Sequence, residues 1–123
     1  MAIPRAVLDT DVLSAILRRD PVAIPKARAY LAEHRRLTFS LITRYEILRG
    51  LKAKAAEKQL GAFKRLCARS EIVILDDRSV VKAAEIYADL YRRGELIGDA
   101  DILIAASALV NDFHVATGNE GHF

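Results

Sequence analysis

Five carboxylates of this chain stand where apolar segments begin or end, at positions where side chains can meet in a shared crevice. They are Asp9, Asp11, Glu46, Asp99 and Asp101. Acids that converge in one crevice destabilise each other unless a cation neutralises them. Hard oxygen ligands without an accompanying histidine cluster favour Mg²⁺ or Mn²⁺ over Zn²⁺. Such a centre can activate water for the hydrolysis of a phosphodiester.

The same acids also suit the starts of helices, where a side-chain oxygen accepts a backbone N–H. Asp11 fits the N-cap of a first helix, and Asp99 fits the N-cap of a helix over residues 100–110. Glu46 follows Thr43 by three residues, which is the spacing of a capping box. Asp9 and Asp101 fit this explanation less well, because each stands beside an acid better placed to cap. Their positions favour a metal centre.

The elements that must position these acids alternate along the chain. Apolar runs predict strands over residues 5–9, 37–42, 71–75 and 113–117. Helical spacing predicts helices over residues 12–19, 23–36, 43–53, 57–70, 79–94 and 99–110. Strands separated by helices imply a mostly parallel sheet with helices on both faces. Ligands of such sheets bind at the carboxyl ends of the strands, where Asp9 stands.

Composition indicates one globular domain. Of the 123 residues, 52% are hydrophobic and 28% are charged, and no low-complexity tract or linker divides them. The single cysteine, Cys67, excludes an intramolecular disulfide and suits a reducing compartment. The longest apolar run, over residues 102–110, contains a serine and is too short to span a bilayer. With no signal peptide visible in the sequence, we expect a cytoplasmic protein that does not enter a membrane.

The charge is distributed unevenly along the chain. Residues 18–69 hold 14 Lys and Arg against 4 Asp and Glu, whereas the remaining residues hold 5 against 12. A solvated helix face explains such a basic segment. Clustered Lys and Arg are also the footprint by which proteins bind a phosphate backbone. Charge alone leaves both interpretations open.

Four blocks of the sequence resemble the motifs of PIN-domain ribonucleases. The blocks are LDTDVL at 8–13, ITRYEILRG at 42–50, IGDADILIAA at 97–106 and ATGNEGHF at 116–123. They occur in the family's order and together span the chain, and the subgroup they resemble is that of the VapC-like toxins of toxin–antitoxin pairs. The resemblance implies a single α/β domain over residues 1–123. Its fold is then a three-layer α/β/α arrangement around a central, mostly parallel sheet of four to five strands.

The resemblance also implies an activity, that of a metal-dependent endoribonuclease that hydrolyses RNA phosphodiester bonds. The acids that match the family's centre are Asp9, Glu46 and Asp101. Asp9 and Asp101 are then ligands of Mg²⁺ or Mn²⁺, and Glu46 is a ligand or holds the attacking water. Asp99 is a further candidate ligand.

Further residues of the matched blocks are candidates for contacts with substrate or with the acids: Thr10, Asp11, Arg44, Thr117 and Asn119. A threonine hydroxyl can orient a carboxylate or bind phosphate. Asn119 stands where the family often has a fourth acid, which lowers the charge of the site. Asp11 adds to the acidic pocket or caps the first helix. Arg44, Arg49 and the lysines that follow them can guide RNA to the acids.

The partners that the resemblance implies are an RNA substrate, a small antitoxin that occludes the active groove, and a second copy of the chain. Four tyrosines are candidates for contact with such a partner, or for packing in the core or in a dimer interface: Tyr30, Tyr45, Tyr87 and Tyr91. Family members usually continue past the residue that matches Phe123 through a short edge strand. Without that strand, the edge of the sheet is exposed.

Two other classes of protein fit parts of the pattern. A PIN-fold module with weak or no catalysis would bind RNA or antitoxin, and Asn119 motivates this alternative. A receiver-type signalling domain has the same length and alternation, and Asp76 suits the acid it needs after its third strand. That class also needs a late lysine, and no lysine follows Lys82.

Overall fold

The computed structural model describes residues 2–117, in which each of the first three strands is followed by two helices. The elements are β1 (Ala6–Leu8), α1 (Thr10–Leu17), α2 (Ala23–His34), β2 (Thr38–Ser40), α3 (Leu41–Ala53), α4 (Glu57–Ala68), β3 (Glu71–Val73), α5 (Asp77–Arg93), α6 (Asp99–Val110) and β4 (His114–Ala116).

All strands of the described sheet run parallel, in the order β3-β2-β1-β4. In the centre of the sheet, Leu8 of β1 pairs with Phe39 of β2, and Val7 pairs with Val115 of β4. Every connection therefore crosses over through helices, as parallel pairing requires. The predicted parallel sheet is confirmed, with four strands in residues 2–117.

The carboxyl ends of the parallel strands meet along one side of the sheet, which we call the carboxyl edge. It consists of the residues that directly follow Leu8, Ser40, Val73 and Ala116. α1 and α3 begin there without a loop, because they start within two residues of the ends of β1 and β2. α6 also begins on this side, since a helix that leads into a parallel strand runs opposite to it.

One face of the sheet packs against the first four helices. Leu8 and Phe39 form a buried cluster there with Leu13 of α1, Tyr30 of α2 and Phe63 of α4. The rings of Phe39 and Phe63 stack with centroids 6.2 Å apart. This cluster fixes α1 and α3 over the central strands and holds their N-termini at the carboxyl edge.

The opposite face packs against α6, with Val7 and Val73 buried on Ile104 and Ala108. α5 lies against α6 and buries Ala83 in a third cluster. Alternate residues of β1 thus enter cores on opposite faces, as the strand period of two requires. The predicted three-layer α/β/α arrangement is confirmed.

The caps predicted for α3 and α6 are wrong. The predicted second strand over 37–42 is shorter, because α3 begins at Leu41 and Ser40 takes the N-cap, accepting a hydrogen bond from the backbone N–H of Thr43 at 3.2 Å. Thr43 therefore lies inside the first turn and forms no capping box with Glu46. Asp99 does not cap α6 either, since Gly98 occupies the N-cap.

Residues 2–117 contain no helix whose length and apolar character would allow it to cross a bilayer.

Asp76, the N-cap of α5, supplies a testable contribution to stability. Its carboxylate accepts hydrogen bonds from the backbone N–H and the hydroxyl of Ser79, both at 3.0 Å. These bonds, followed by the nearby Arg78, hold the pKa of Asp76 below its ordinary value. A carboxyl whose pKa is lowered on folding stabilises the protein above its unfolded pKa, and this stabilisation is lost as the pH falls through the folded pKa.

We therefore expect Asp76→Ala to lower the thermal midpoint near neutral pH and to differ less from the parent in acid. Thermal melts at a series of pH values measure this difference. Asp77→Ala is the matched control, because it removes a carboxylate from the same turn and leaves the cap in place. A deficit of Asp76→Ala that stays constant into acid would contradict this role of the carboxylate.

Candidate active site

Three helix N-termini meet at the carboxyl edge and carry the acids of the candidate site. α3 lies in the middle and contacts both α1 and α6. The first turn of a helix bears partial positive charge, which stabilises carboxylates placed there. Asp11 lies in the first turn of α1, and Asp101 lies in the first turn of α6. Glu46 follows in the second turn of α3.

Asp9 is the N-cap of α1, and not Asp11 as the sequence predicted. β1 ends at Leu8 and α1 begins at Thr10, so the residue between them takes the cap position. Oδ1 of Asp9 accepts a hydrogen bond from the backbone N–H of Val12 at 2.9 Å. The backbone N–H of Asp9 donates to the carbonyl of Ala116 at 2.9 Å. Asp9 is thereby fixed between the ends of β1 and β4.

Glu46 is held from two sides. The hydroxyl of Thr10 donates a hydrogen bond to Oε1 of Glu46 at 2.6 Å, and the same hydroxyl oxygen lies 3.1 Å from Oγ1 of the buried Thr43. Arg49, one turn along α3, brings a guanidinium nitrogen within 3.7 Å of Oε2. The half-buried carboxylate of Glu46 is thus anchored to α1 and paired with a cation of its own helix.

The charges of three helices interact at Asp101. Partial burial raises the pKa of Asp101 above its ordinary value, and the neighbouring carboxylates of Glu46 and Asp11 raise it further. This effect requires that the acids of α1, α3 and α6 lie near one another. The structure therefore brings together Asp11, Glu46 and Asp101, although Asp11 and Asp101 are 90 residues apart in the sequence.

The donor chemistry of this region suits a hard divalent cation. Within residues 2–117, the side-chain positions form no group of three or more acids, histidines or cysteines arranged to hold a metal ion. The side chains that raise the pKa of Asp101 are all carboxylates, however, and their mutual repulsion is the condition that a cation relieves. Oxygen ligands of this kind fit Mg²⁺ or Mn²⁺.

Two predicted residues have neighbours outside this acidic group. Asp99 lines a hollow between α5 and α6, together with Val80 and Tyr87. Arg44 is exposed on α3 and interacts with the thiol of Cys67. Burial raises the pKa of that thiol, and the guanidinium of Arg44 opposes the increase.

Thr117, which directly follows β4, lies at the carboxyl edge and lines the end of a groove together with Asp11. Asn119 lies outside the described residues, so the prediction for it stays a prediction. Asp76, the acid that a receiver domain would need, is occupied as the N-cap of α5.

The sequence interpretation did not assign Thr43 to the site and treated Arg49 only as a guide for RNA. Both lie three residues from Glu46, on either side of it along α3. Residues at this spacing share one face of a helix, which is a signal that the sequence contains. What the spacing alone could not show is that this face meets Thr10 of α1.

Comparison with known proteins agrees with this fold. The family model of the PIN domain matches residues 6–123. Ribonuclease VapC1 of Methanocaldococcus jannaschii is 38% identical over 84 residues, which is 68% of this chain and 60% of the archaeal protein. VapC ribonuclease Y4jK of Sinorhizobium fredii is 32% identical over 124 aligned positions, covering 95% of this chain and 89% of the relative.

Among solved structures, DNA-bound VapBC from Salmonella typhimurium has a chain that superposes with a TM-score of 0.83 at 26% identity. The match covers 95% of this chain and 88% of that one. These findings, with the parallel sheet and the acids at its carboxyl edge, show that the chain belongs to the PIN domain family.

Proposed function

We propose that this chain is a cytoplasmic, metal-dependent endoribonuclease and the toxin of a toxin–antitoxin pair. The observation that carries the proposal is the hydrogen bond of 2.6 Å from Thr10, which directly follows Asp9, to the Glu46 carboxylate at the carboxyl edge. Asp101 lies near enough to Glu46 for that carboxylate to raise its pKa. A PIN domain with acids gathered there has the donor set that phosphodiester hydrolysis requires. The names of the two relatives, both VapC ribonucleases, support the same activity.

Asp9, Glu46 and Asp101 are the residues that would hold Mg²⁺ or Mn²⁺. The ion, when bound, supplies activation of water and neutralises charge on the phosphate and the leaving oxygen. Asp9 offers its carboxylate from a fixed N-cap, and Thr10 holds the Glu46 carboxylate in one orientation. The N-termini of α1 and α6 reduce the cost of keeping several acids ionised side by side.

Basic side chains beside the acids provide attraction for RNA, which the acidic centre alone would repel. Arg49 reaches the Glu46 carboxylate. Three exposed lysines follow it along the chain: Lys52 in α3, Lys54 at the end of α3 and Lys58 in α4. Clustered cations of this kind bind phosphates by releasing counterions. The substrate in this proposal enters over α3.

An apolar groove next to the acids is the proposed binding surface of the antitoxin. The groove lies between α1, α2 and β4 and has a volume of about 880 Å³. Its wall includes Val12, Ile16 and Ala27, and Asp11 and Thr117 belong to its lining at the carboxyl edge. A partner segment with apolar side chains in this groove and a cation beside Asp11 would cover the entrance to the acids.

A second exposed apolar surface is the proposed dimer interface. Val80, Tyr87 and Tyr91 lie exposed along α5, and the two tyrosine rings stack with centroids 6.2 Å apart. Exposed apolar residues that follow one helix face favour contact with another protein surface. We assign this face to a second copy of the chain.

The catalytic assignment predicts the effect of single neutral substitutions. Asp9→Asn and Asp101→Asn should each lower RNA cleavage at least about 100-fold, because each removes several kcal/mol of charge stabilisation from the reaction. Cleavage of total RNA by the antitoxin-free protein, followed over time, measures the loss.

Asp89→Asn is the matched control, since Asp89 pairs with Arg93 on α5, away from the carboxyl edge. Asp99→Asn tests the remaining candidate ligand directly. Parent-like cleavage by both Asp9→Asn and Asp101→Asn would refute the assignment. A parent protein that binds RNA and cleaves none with any divalent metal would identify the catalytically inactive PIN-fold module instead.

The metal requirement has its own test. Treatment with EDTA should abolish cleavage, and Mg²⁺ or Mn²⁺ added in excess should restore it, because the acids then regain a counter-charge. Circular dichroism before and after treatment controls for unfolding. Cleavage that continues at the parent rate in excess chelator would contradict the metal-dependent mechanism.

The dimer assignment predicts that Tyr91→Glu converts the protein to a monomer, because burial of an unpaired charge in an interface costs several kcal/mol. Sedimentation velocity measures the change in mass. Tyr45→Glu is the control, since Tyr45 is also an exposed tyrosine but lies on α3. A variant Tyr91→Glu that sediments like the parent would exclude this face as the interface.

A further inference from the structure

The surface of α3 next to the acids carries an exposed aromatic ring that packs into none of the buried clusters. Tyr45 immediately precedes Glu46, and the residue is 58% exposed. The guanidinium carbon of Arg49 lies over the Tyr45 ring, 5.1 Å from its centroid. The same guanidinium comes within 3.7 Å of the Glu46 carboxylate. One turn of helix thus carries a ring, a cation and an acid of the candidate site.

The ring and the cation belong to a continuous stripe on one side of α3. Leu41, Tyr45, Arg49 and Lys52 follow one another at intervals of four, four and three residues, so they share a helix face. All four are exposed. The stripe begins at the carboxyl edge with apolar and aromatic side chains and becomes basic away from it.

Such a stripe has the two kinds of side chain that bind single-stranded nucleic acid. An unpaired base stacks on an aromatic ring, and a neighbouring phosphate pairs with a cation beside that ring. The bases of a duplex are already stacked on one another and are not available to the ring. Arg49 contributes to both contacts, because it stacks on the ring and carries the charge that meets the phosphate.

We propose that Tyr45 and Arg49 form a subsite for one nucleotide, through which the protein selects single-stranded RNA. A base stacks on Tyr45, the adjoining phosphate pairs with Arg49, and the strand then runs past Glu46 towards the acidic centre. Tyr45 is therefore a specificity-determining residue, and it contributes no group to the chemical step. This inference rests on the proposed function in one respect, the identity of the nucleic acid as RNA.

The inference is tested by binding in the Asp101→Asn background, so that cleavage does not disturb the measurement. The probe is a short fluorescein-labelled RNA of mixed sequence, free or annealed to its complement, and the readout is fluorescence anisotropy. Tyr45→Ala should weaken binding of the single strand about tenfold and leave binding of the duplex unchanged, because only the single strand offers an unstacked base. Tyr45→Phe keeps the ring and should bind like the background protein.

Leu109→Ala is the matched control, because it removes an exposed apolar side chain near the C-terminal end of α6, away from the carboxyl edge, and should not alter RNA binding. Arg49→Gln should weaken single-strand binding and lower its dependence on salt concentration, as the loss of one phosphate contact requires. The inference is overturned if Tyr45→Ala binds the single strand as tightly as the background protein does. That result would leave the ring as a contact for a protein partner.

Two further outcomes separate this inference from the proposed function. If the parent cleaves RNA and Tyr45→Ala cleaves single strands equally well, the inference fails and the ribonuclease function stands. If no RNA is cleaved but the single-strand preference still depends on Tyr45, the catalytic proposal fails and the inference stands. Equal affinity of the background protein for single strand and duplex also overturns the inference.

Discussion

The repulsion among carboxylates at the carboxyl edge is the constraint on which the rest of this structure depends. Partial burial raises the pKa of Asp101, and the neighbouring carboxylates of Glu46 and Asp11 raise it further. The fold reduces the free-energy cost of this repulsion, because the acids lie in the first turns of α1 and α6 and early in α3, where helix N-termini stabilise negative charge. A fold that gathers acids in this way is suited to bind a cation.

α3 is the element that connects the scaffold to the chemistry. Its buried side, with Thr43 and Ile47, anchors the helix in the protein, while Glu46 meets Thr10 of α1 beside that anchor. Its exposed side carries Tyr45 and the basic residues that follow. The helix therefore positions an acid and carries an exposed basic surface beside it, and both depend on the same packing against the sheet.

Sequence patterns predicted the larger elements well because these depend on local spacing and burial. The alternation of strands and helices, the helix ending at Gly94 and the parallel sheet were all predicted and found. The caps were predicted poorly. The choice between Asp9 and Asp11 as the N-cap of α1, and between Ser40 and Thr43 as the N-cap of α3, depends only on where the preceding strand ends. The end of a strand is set by its pairing with neighbouring strands. Leu8 stays in β1 because it pairs with Phe39, and this leaves the cap to Asp9.

The sequence by itself determined the fold class, the family and the residue types available for chemistry, because hydrophobic periodicity and motif order are properties of the chain. Only the tertiary structure decided which acids interact. Asp11, Glu46 and Asp101 become neighbours through three crossover connections, and Thr10 bonds to Glu46 across 36 positions of sequence. The same packing gives Asp99 neighbours on α5, two residues from Asp101. Such choices depend on helix rotation, which is fixed by contacts with distant residues and not by local sequence.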